Sequence, residues 1–518
     1  MSTTAPGRTT GATLLLSLGS LIVLVSSAFA FHHSFAMDPS MPMAHMPADD
    51  GRKLHGMALA DMPEMFTALG GLLLVVAGAA LRGRPKSVEA DSGSGRRGRL
   101  LVAVIGTAAL TIDISKTSTL GFVIPGLRAE YGLDPRTASL LAVCGLTGTA
   151  AGALLFGVLT DRIGRRSSYL IATLGFTATS MCGSMPTFEG NLVMCGLMGL
   201  AVGGLAPLLI TLLTETAGGK VRGSVVVALS VVATAVGYLV AAGSALWLEP
   251  VFGWRILWLI GAPTGAVLAL LTPFVPNRVS APAPAAAPAP AAAPAPAAAP
   301  APAAAPAPAA ADAPAVRHLP RSSRALTQGL QRAFATLIGL LTFGLTTWVP
   351  SLARIGGVPV HTANLMLTVA AIVMIPCALL LMLGYRRFGP TSMAAGLATA
   401  TAVLLLALTA SGAVAEVGWI AAGALVAALF SVNSMAAIFL PIAADLAEPE
   451  RRGRTTGWVS LFNRLGGLMG PLLLASLVSS ASAVLVAVSA LALLCGAAAW
   501  YISRRHRLAL ATLEPATD

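Results

Sequence analysis

Long stretches without a single formal charge recur along most of this chain, and they constrain its fold more than any other feature. They run over residues 137–160, 191–214, 225–248, 362–385 and 417–444. About 20 apolar residues in a helix cross the hydrocarbon core of a bilayer, and each stretch is long enough to do so. None alternates apolar and polar residues with period two, so the pattern is not that of a membrane β-barrel. Charged residues make up 10% of the chain against 56% apolar, a balance foreign to soluble multidomain proteins. The chain therefore reads as an all-α polytopic membrane protein.

The pattern predicts two helices, near 12–31 and 63–82, in an N-terminal extension over 1–99. Six more, near 100–127, 137–160, 167–186, 191–214, 225–248 and 254–275, form a first half over 100–275. A linker over 276–326 leads to a second half over 327–503, with helices near 327–352, 362–385, 391–410, 417–444, 455–478 and 482–503. A tail over 504–518 follows. The net charge of +12 invites a nucleic-acid partner, but its placement argues against one. With the N-terminus threaded inside, the outer segments carry only Arg52, Lys53, Arg128, Arg136, Arg255 and Arg354 of the 33 basic residues, and Lys116 and Arg464 fall within helices. All other Lys and Arg are cytoplasmic, as the positive-inside rule requires. The charge is thus a topology signal for the inner membrane of a bacterium. Trp247, Trp254, Trp348 and Trp419 fall near outer helix ends, where interfacial aromatics are expected. The five cysteines all fall in predicted helices and offer neither a disulfide framework nor a metal spacing.

Residues 281–314 are almost pure Ala and Pro. Proline removes backbone donors and favours an extended form, so this stretch cannot cross lipid and serves as a cytoplasmic spacer. The halves on either side repeat a pattern. Basic clusters follow the second helix of each (Gly157 to Arg166, Gly384 to Pro390) and the fourth (Thr214 to Gly223, Asp445 to Gly457). Parallel repeats of this kind point to alternating access around a central site.

The first of these clusters reads GVLTDRIGRR. It resembles the signature loop of the major facilitator superfamily, G-x-L-x-D-R-x-G-R-R, at every defined position. The resemblance covers roughly residues 100–505. It implies twelve core helices in two six-helix bundles, a midplane cavity and a rocker-switch cycle, with the N-terminal pair as an addition. Within the superfamily the chain looks most like the metabolite:proton and aromatic-acid:proton symporters. DISKTSTLGFVIP (Asp113 to Pro125) is similar to their D-G-x-D-x-x-x-x-G-x-x-x-P pattern at Asp113, Gly121 and Pro125, with Lys116 in place of the second acid. GGLAPLLITLLTETAGGKVRG resembles a G-G-x-x-P…E…R-G pattern, and Arg464, Gly466, Gly467 and Pro471 supply R-x-G-G-x-x-x-P.

Intramembrane charge is costly and marks function, by about 2.5–3.5 kcal/mol at a helix centre on insertion scales. Asp113 lies halfway along its helix, and Lys116 three residues on shares its face and is expected to neutralise it in part. Either the two form a structural ion pair, or they face the cavity as a coupling site. Arg464, beside Asn463, offers a planar donor fork suited to a carboxylate. Two cations and one acid favour an organic anion over a cationic drug. Asn364 and Asn433 are weaker candidates for polar lining. Gly157, Asp161, Arg162, Gly164, Arg165 and Arg166 are read as the cytoplasmic gate, joined by Glu215 with Arg222 and by Asp445 with Arg451 or Arg452.

The outer loop over 32–62 is rich in His and Met. His32, His33, Met37, Met41, Met43, His45 and Met46 form a soft ligand set suited to copper, Cu(I) above all, with a Met-rich surface loop as the plain alternative. The stretch before it, ending Ala28-Phe29-Ala30, also fits a cleavable signal peptide. The function expected is secondary transport by alternating access, with proton-coupled symport of a small organic anion. Drug or metabolite efflux by proton antiport is the second reading, and a copper-linked membrane protein the third. No nucleotide-binding loop or catalytic motif suggests an enzyme. The expected partners are a small molecule, protons and lipid, on a monomer with no resident cofactor.

Overall fold

A membrane helix must satisfy every backbone group within itself, and helices are what the chain forms. The computed structural model describes residues 6–35, 54, 56–57, 61–82, 96–203, 205, 222–275, 321–353, 359–412, 418–445 and 452–511. Among these residues there is no strand. The N-terminal extension gives α1 (Pro6–His33) and α2 (Pro63–Arg82). The first half gives α3 (Arg96–Tyr131), α4 (Pro135–Ile163), α5 (Arg165–Thr179), α6 (Phe188–Gly203), α7 (Arg222–Trp247) and α8 (Gly261–Leu270). The second gives α9 (Arg321–Ala353), α10 (Val360–Phe388), α11 (Pro390–Ala410), α12 (Gly418–Asp445), α13 (Arg452–Ala475) and α14 (Ala481–Ala511). Among the described residues α1–α4, α9, α11 and α14 are each long and apolar enough to span a bilayer alone, and six further apolar runs are shorter.

Two expectations about helix continuity are corrected. The segment predicted as one helix over 254–275 is interrupted at Ile260, and two one-turn pieces, Glu249–Phe252 ahead of the predicted segment and Ile256–Leu259 within it, lead into α8. Gly253, at φ 78°, takes a left-handed turn that ends the first of them. The helix predicted to reach residue 186 stops at Thr179 and tightens into a 3₁₀ turn over Ser180–Ser184. Elsewhere local chemistry sets the ends. Asp134 caps α4, its carboxylate accepting from the amides of Arg136 and Thr137, with Pro135 at the first helical position. Gly164, at φ 86°, turns α4 sharply into α5.

Glycines decide how the helices pack. In α4 and α6, Gly148 lies against the Gly196 carbonyl, Gly199 against that of Gly145, and Gly203 against that of Thr149. In α9 and α13, Gly466 meets the Thr336 carbonyl and Gly470 that of Leu340. Small residues at three- and four-residue spacing let backbones approach where lipid supplies no hydrophobic driving force. Between the halves α7 packs on α10, α4 on α13 and α3 on α9, so the second helix of each half meets the fifth helix of the other. The extension pairs α1 with α2 and leans on α5. Its loop returns to the first half, where the Leu54 amide donates to the Phe252 carbonyl and the Met57 amide to that of Ser184.

Two of the predicted interfacial tryptophans are instead packing anchors. Trp254 and Trp348 are buried, and the Trp348 indole donates to the Pro471 carbonyl at 2.8 Å. An indole inside a bundle needs an acceptor for its N–H, and the Pro471 carbonyl in the last turns of α13 supplies it. Trp247 stays exposed, as expected of an interfacial ring.

Candidate functional site

The spacing of Asp113 and Lys116 predicts a pair on one face of α3, and the structure separates them. Residues three apart differ by about 60° around a helix, enough for each to follow its own neighbours. Lys116 is 4% exposed, and its ammonium donates to the Leu257 carbonyl at 3.0 Å. That carbonyl lies in the last turn of the Ile256–Leu259 helix, where backbone acceptors have no intrahelical donor and the helix end attracts a cation. Gly261 leaves room for the lysine stem, since a Cβ there would sit 3.2 Å from Lys116 Cε. The break in the sixth core helix and the lysine thus belong together, a link the sequence reading missed by treating 254–275 as continuous.

Asp113 instead answers to the other half of the molecule. It is half-buried in α3, and the charge acting on it is the guanidinium of Arg464, half-buried in α13. The pair does not reach salt-bridge distance, so the two charges attract each other while remaining apart. Asn463, expected beside Arg464 in the site, turns to packing: its amide donates to the Ala335 carbonyl of α9 at 3.0 Å. Neighbouring residues on a helix point about 100° apart, and here Asn463 is the one that turns to α9. Asn364, expected as cavity lining, is wholly buried and bonds to the Ala245 carbonyl and to Glu249.

Beside Lys116 a cleft runs between α3, α4 and α6, lined by Thr117, Leu120, Thr149, Cys195 and Met198 among others. It has room for a water or two rather than for an organic ring.

The gate residues divide. Arg166 donates from Nε to the Thr272 carbonyl at 3.1 Å and from a terminal nitrogen to the Pro273 carbonyl. It fastens the start of α5 to the end of the sixth core segment, a bond inside the first half. The carbonyls at that helix end supply the acceptors. Arg165 is buried and Arg162 exposed, while Gly157 lies inside α4 ahead of its last turn and Gly164 just beyond its end. Glu215 and Arg451, and the side chains of Asp161, Arg222, Asp445 and Arg452, lie outside the described residues. Of the candidate metal ligands, His32 and His33 end α1, with His33 Nδ1 3.5 Å from Glu64 Oε1. Met37, Met41, Met43, His45 and Met46 lie outside the described residues, among which no three His, Cys, Asp or Glu converge.

Arg255 was counted only as an outer topology charge, and the structure makes it a hub. At 1% exposure it donates to the carbonyls of Gly183 (2.6 Å) and Met185 (2.8 Å), to Glu130 (2.5 Å) and to the Tyr131 hydroxyl (2.9 Å). Trp254 bonds the same carboxylate at 2.8 Å and stacks under the guanidinium, 4.6 Å from its ring centre. The Gly253-Trp254-Arg255 sequence beside a helix break was the available signal. A cation at a break has several free carbonyls to reach.

The model of the Major Facilitator Superfamily matches residues 103–415 and 352–515. The chain belongs to the major facilitator superfamily. It is a multi-pass membrane protein of the cell membrane, and neither the superfamily nor the relatives are enzymes. Niacin transporter NiaP of Acinetobacter baylyi is 30% identical over 168 residues, which cover 32% of this chain and 38% of that protein. The benzoate transport protein of the same organism is 29% identical over 180 residues, 34% of this chain and 38% of the relative. The matches span less than half the length of these relatives. A crystal structure of a D-xylose–proton symporter superposes with a TM-score of 0.58 over 77% of this chain and 97% of the other, at 15% identity. That likeness establishes the fold.

Proposed function

We propose that this protein is a secondary transporter that carries a small organic anion together with a proton by alternating access, and that aromatic monocarboxylates are its substrate class. The observation that carries the reading is the placement of Asp113 and Arg464, on opposite halves and acting on each other from a distance. When the site is empty the two charges balance. A carboxylate bound to the Arg464 fork takes that balance away and strands Asp113 as an anion in a poorly solvated site. Leaving that carboxylate uncompensated is costly, and a proton on Asp113 removes the cost. The loaded site, with neutral Asp113 and a carboxylate on Arg464, is again balanced and can move between the two faces. The relatives that carry niacin and benzoate names support an aromatic acid as the anion.

The charge count sets a stoichiometry of one proton per monocarboxylate, and so an electroneutral cycle. Purified protein in proteoliposomes should accumulate labelled nicotinate or benzoate under an inward proton gradient. A valinomycin-imposed potential should leave the rate unchanged. Asp113→Asn should still exchange substrate across the membrane but lose gradient-driven accumulation. Full accumulation by that variant, or uptake indifferent to collapse of the proton gradient, would end this reading.

A further inference from the structure

Beyond the charged pair, the halves meet toward the outer face through a contact that the transport reading leaves unused. Asn364, in the first turns of α10, is 0% exposed. Its amide nitrogen donates to the Ala245 carbonyl and to Glu249 Oε2, each at 3.0 Å. Ala245 carries one of the last four carbonyls of α7, which a helix end leaves without internal donors. Glu249 opens the one-turn helix that follows, where an acidic side chain suits the positive end. One side chain of the second half thus closes a helix end and holds a carboxylate of the first.

A second contact reinforces the seam. Gly121 in the outer part of α3 lies against the carbonyls of Thr346 and Thr347 and the ring of Pro350 in α9, and Thr347 is 3% exposed. Opening the cavity outward has to part both contacts. The amide can be drawn from its two acceptors without breaking a helix, because both lie at helix ends rather than inside them. Water and the freed carboxylate can solvate each other once the seam opens.

We propose that Asn364 and Glu249 are the outer latch of this carrier, holding the external face shut by the bond across the α7–α10 seam and releasing it in each cycle. The proposal rests on the alternating-access reading above. Removing the amide should therefore shift the molecule toward its outward-open form.

The test places a reporter, Thr347→Cys, in a background where the native cysteines are replaced. Its labelling by a membrane-impermeant maleimide is then timed from outside, with no substrate present. Asn364→Ala should speed labelling about thirty- to two-thousandfold, the factor expected for two hydrogen bonds of which one has a charged acceptor. Asn364→Asp, which sets a second carboxylate against Glu249, should speed it further. Thr368→Ala removes only the hydroxyl bond to the Asn364 backbone carbonyl and should leave the rate unchanged. Parent-like labelling in both Asn364 variants would overturn the latch. Where a variant fails to fold, the pair Glu249→Cys and Asn364→Cys serves instead. Cross-linking it should stop uptake of labelled benzoate and reduction restore it, whereas undiminished uptake in the cross-linked form would refute the proposal. Faster labelling in a protein that carries no aromatic acid would keep the latch and discard the substrate reading.

Discussion

Replacing Arg255 by methionine keeps much of the apolar stem and deletes the guanidinium. In the structure that group donates four hydrogen bonds from a side chain almost without solvent contact, two of them to the backbone carbonyls of Gly183 and Met185. The variant leaves those carbonyls and Glu130 without their shared donor, and each buried carbonyl left unsatisfied costs about 1–3 kcal/mol, so the two together cost about 2–6 kcal/mol. For a unit of about 150–250 residues, 1 kcal/mol moves the melting point by about 2–4 °C, so the purified protein in detergent should melt about 4–24 °C lower. Glu130→Gln is the graded comparison. Its side chain is 42% exposed, and an amide oxygen can still accept from Trp254 and Arg255. Solvent screening reduces the charge contribution there to about 0.2–1 kcal/mol, a shift within about 4 °C. Tryptophan fluorescence against temperature measures both, since Trp254 reports from inside the cluster. Equal shifts in the two variants would mean that the exposed ion pair, and not the carbonyl clamp, holds this corner. A shift below about 2 °C for Arg255→Met would refute the accounting altogether.

Two further outcomes follow from other parts of the fold. Gly148→Leu forces a side chain into the Gly196 carbonyl, where only a backbone shift can make room. The cost exceeds about 4 kcal/mol, and the variant should be absent from the membrane fraction, while Gly329→Ala, which meets nothing within 4 Å, should express normally. The Thr137 hydroxyl and backbone amides hold the Asp134 carboxyl below the usual carboxylate range. Its support for α4 is complete above that range and fades as pH falls through the lowered value. The protection factors of the Arg136 and Thr137 amides, which correct for the intrinsic pH dependence of exchange, should therefore fall in acid, and Asp134→Ala should show the low values at neutral pH as well.

The sequence was most informative where a rule of the bilayer acts on single residues. Uncharged runs located the helices, and the distribution of arginine sets the expectation for their orientation. GVLTDRIGRR pointed to the superfamily, and Asp113 and Arg464 stood out because charge within a helix is rarely tolerated. Pairing was harder to read. Lys116 was matched to Asp113 by spacing, yet what decides its direction is a carbonyl 141 residues away, exposed by a helix break that the hydropathy of 254–275 conceals. Asn463 and Arg464 are adjacent in the chain and were read as one site, although they necessarily face different neighbours. Arg255 and Asn364 were passed over as ordinary surface and lining residues. Their roles depend on which helix ends come to rest beside them, and tertiary packing alone determines that.

The glycine seams have a consequence for how such a molecule can vary. Within each half the helices touch main chain to main chain, so a scan of tolerated substitutions should show narrow forbidden stripes along α4, α6, α9 and α13. Between the halves Gly121 of α3 makes one such main-chain contact with α9, whereas α10 and α7 are held by side chains such as Asn364, which can be exchanged one at a time. The rate at which the machine cycles is thus open to adjustment by mutation at the joint while the two moving bodies stay as they are.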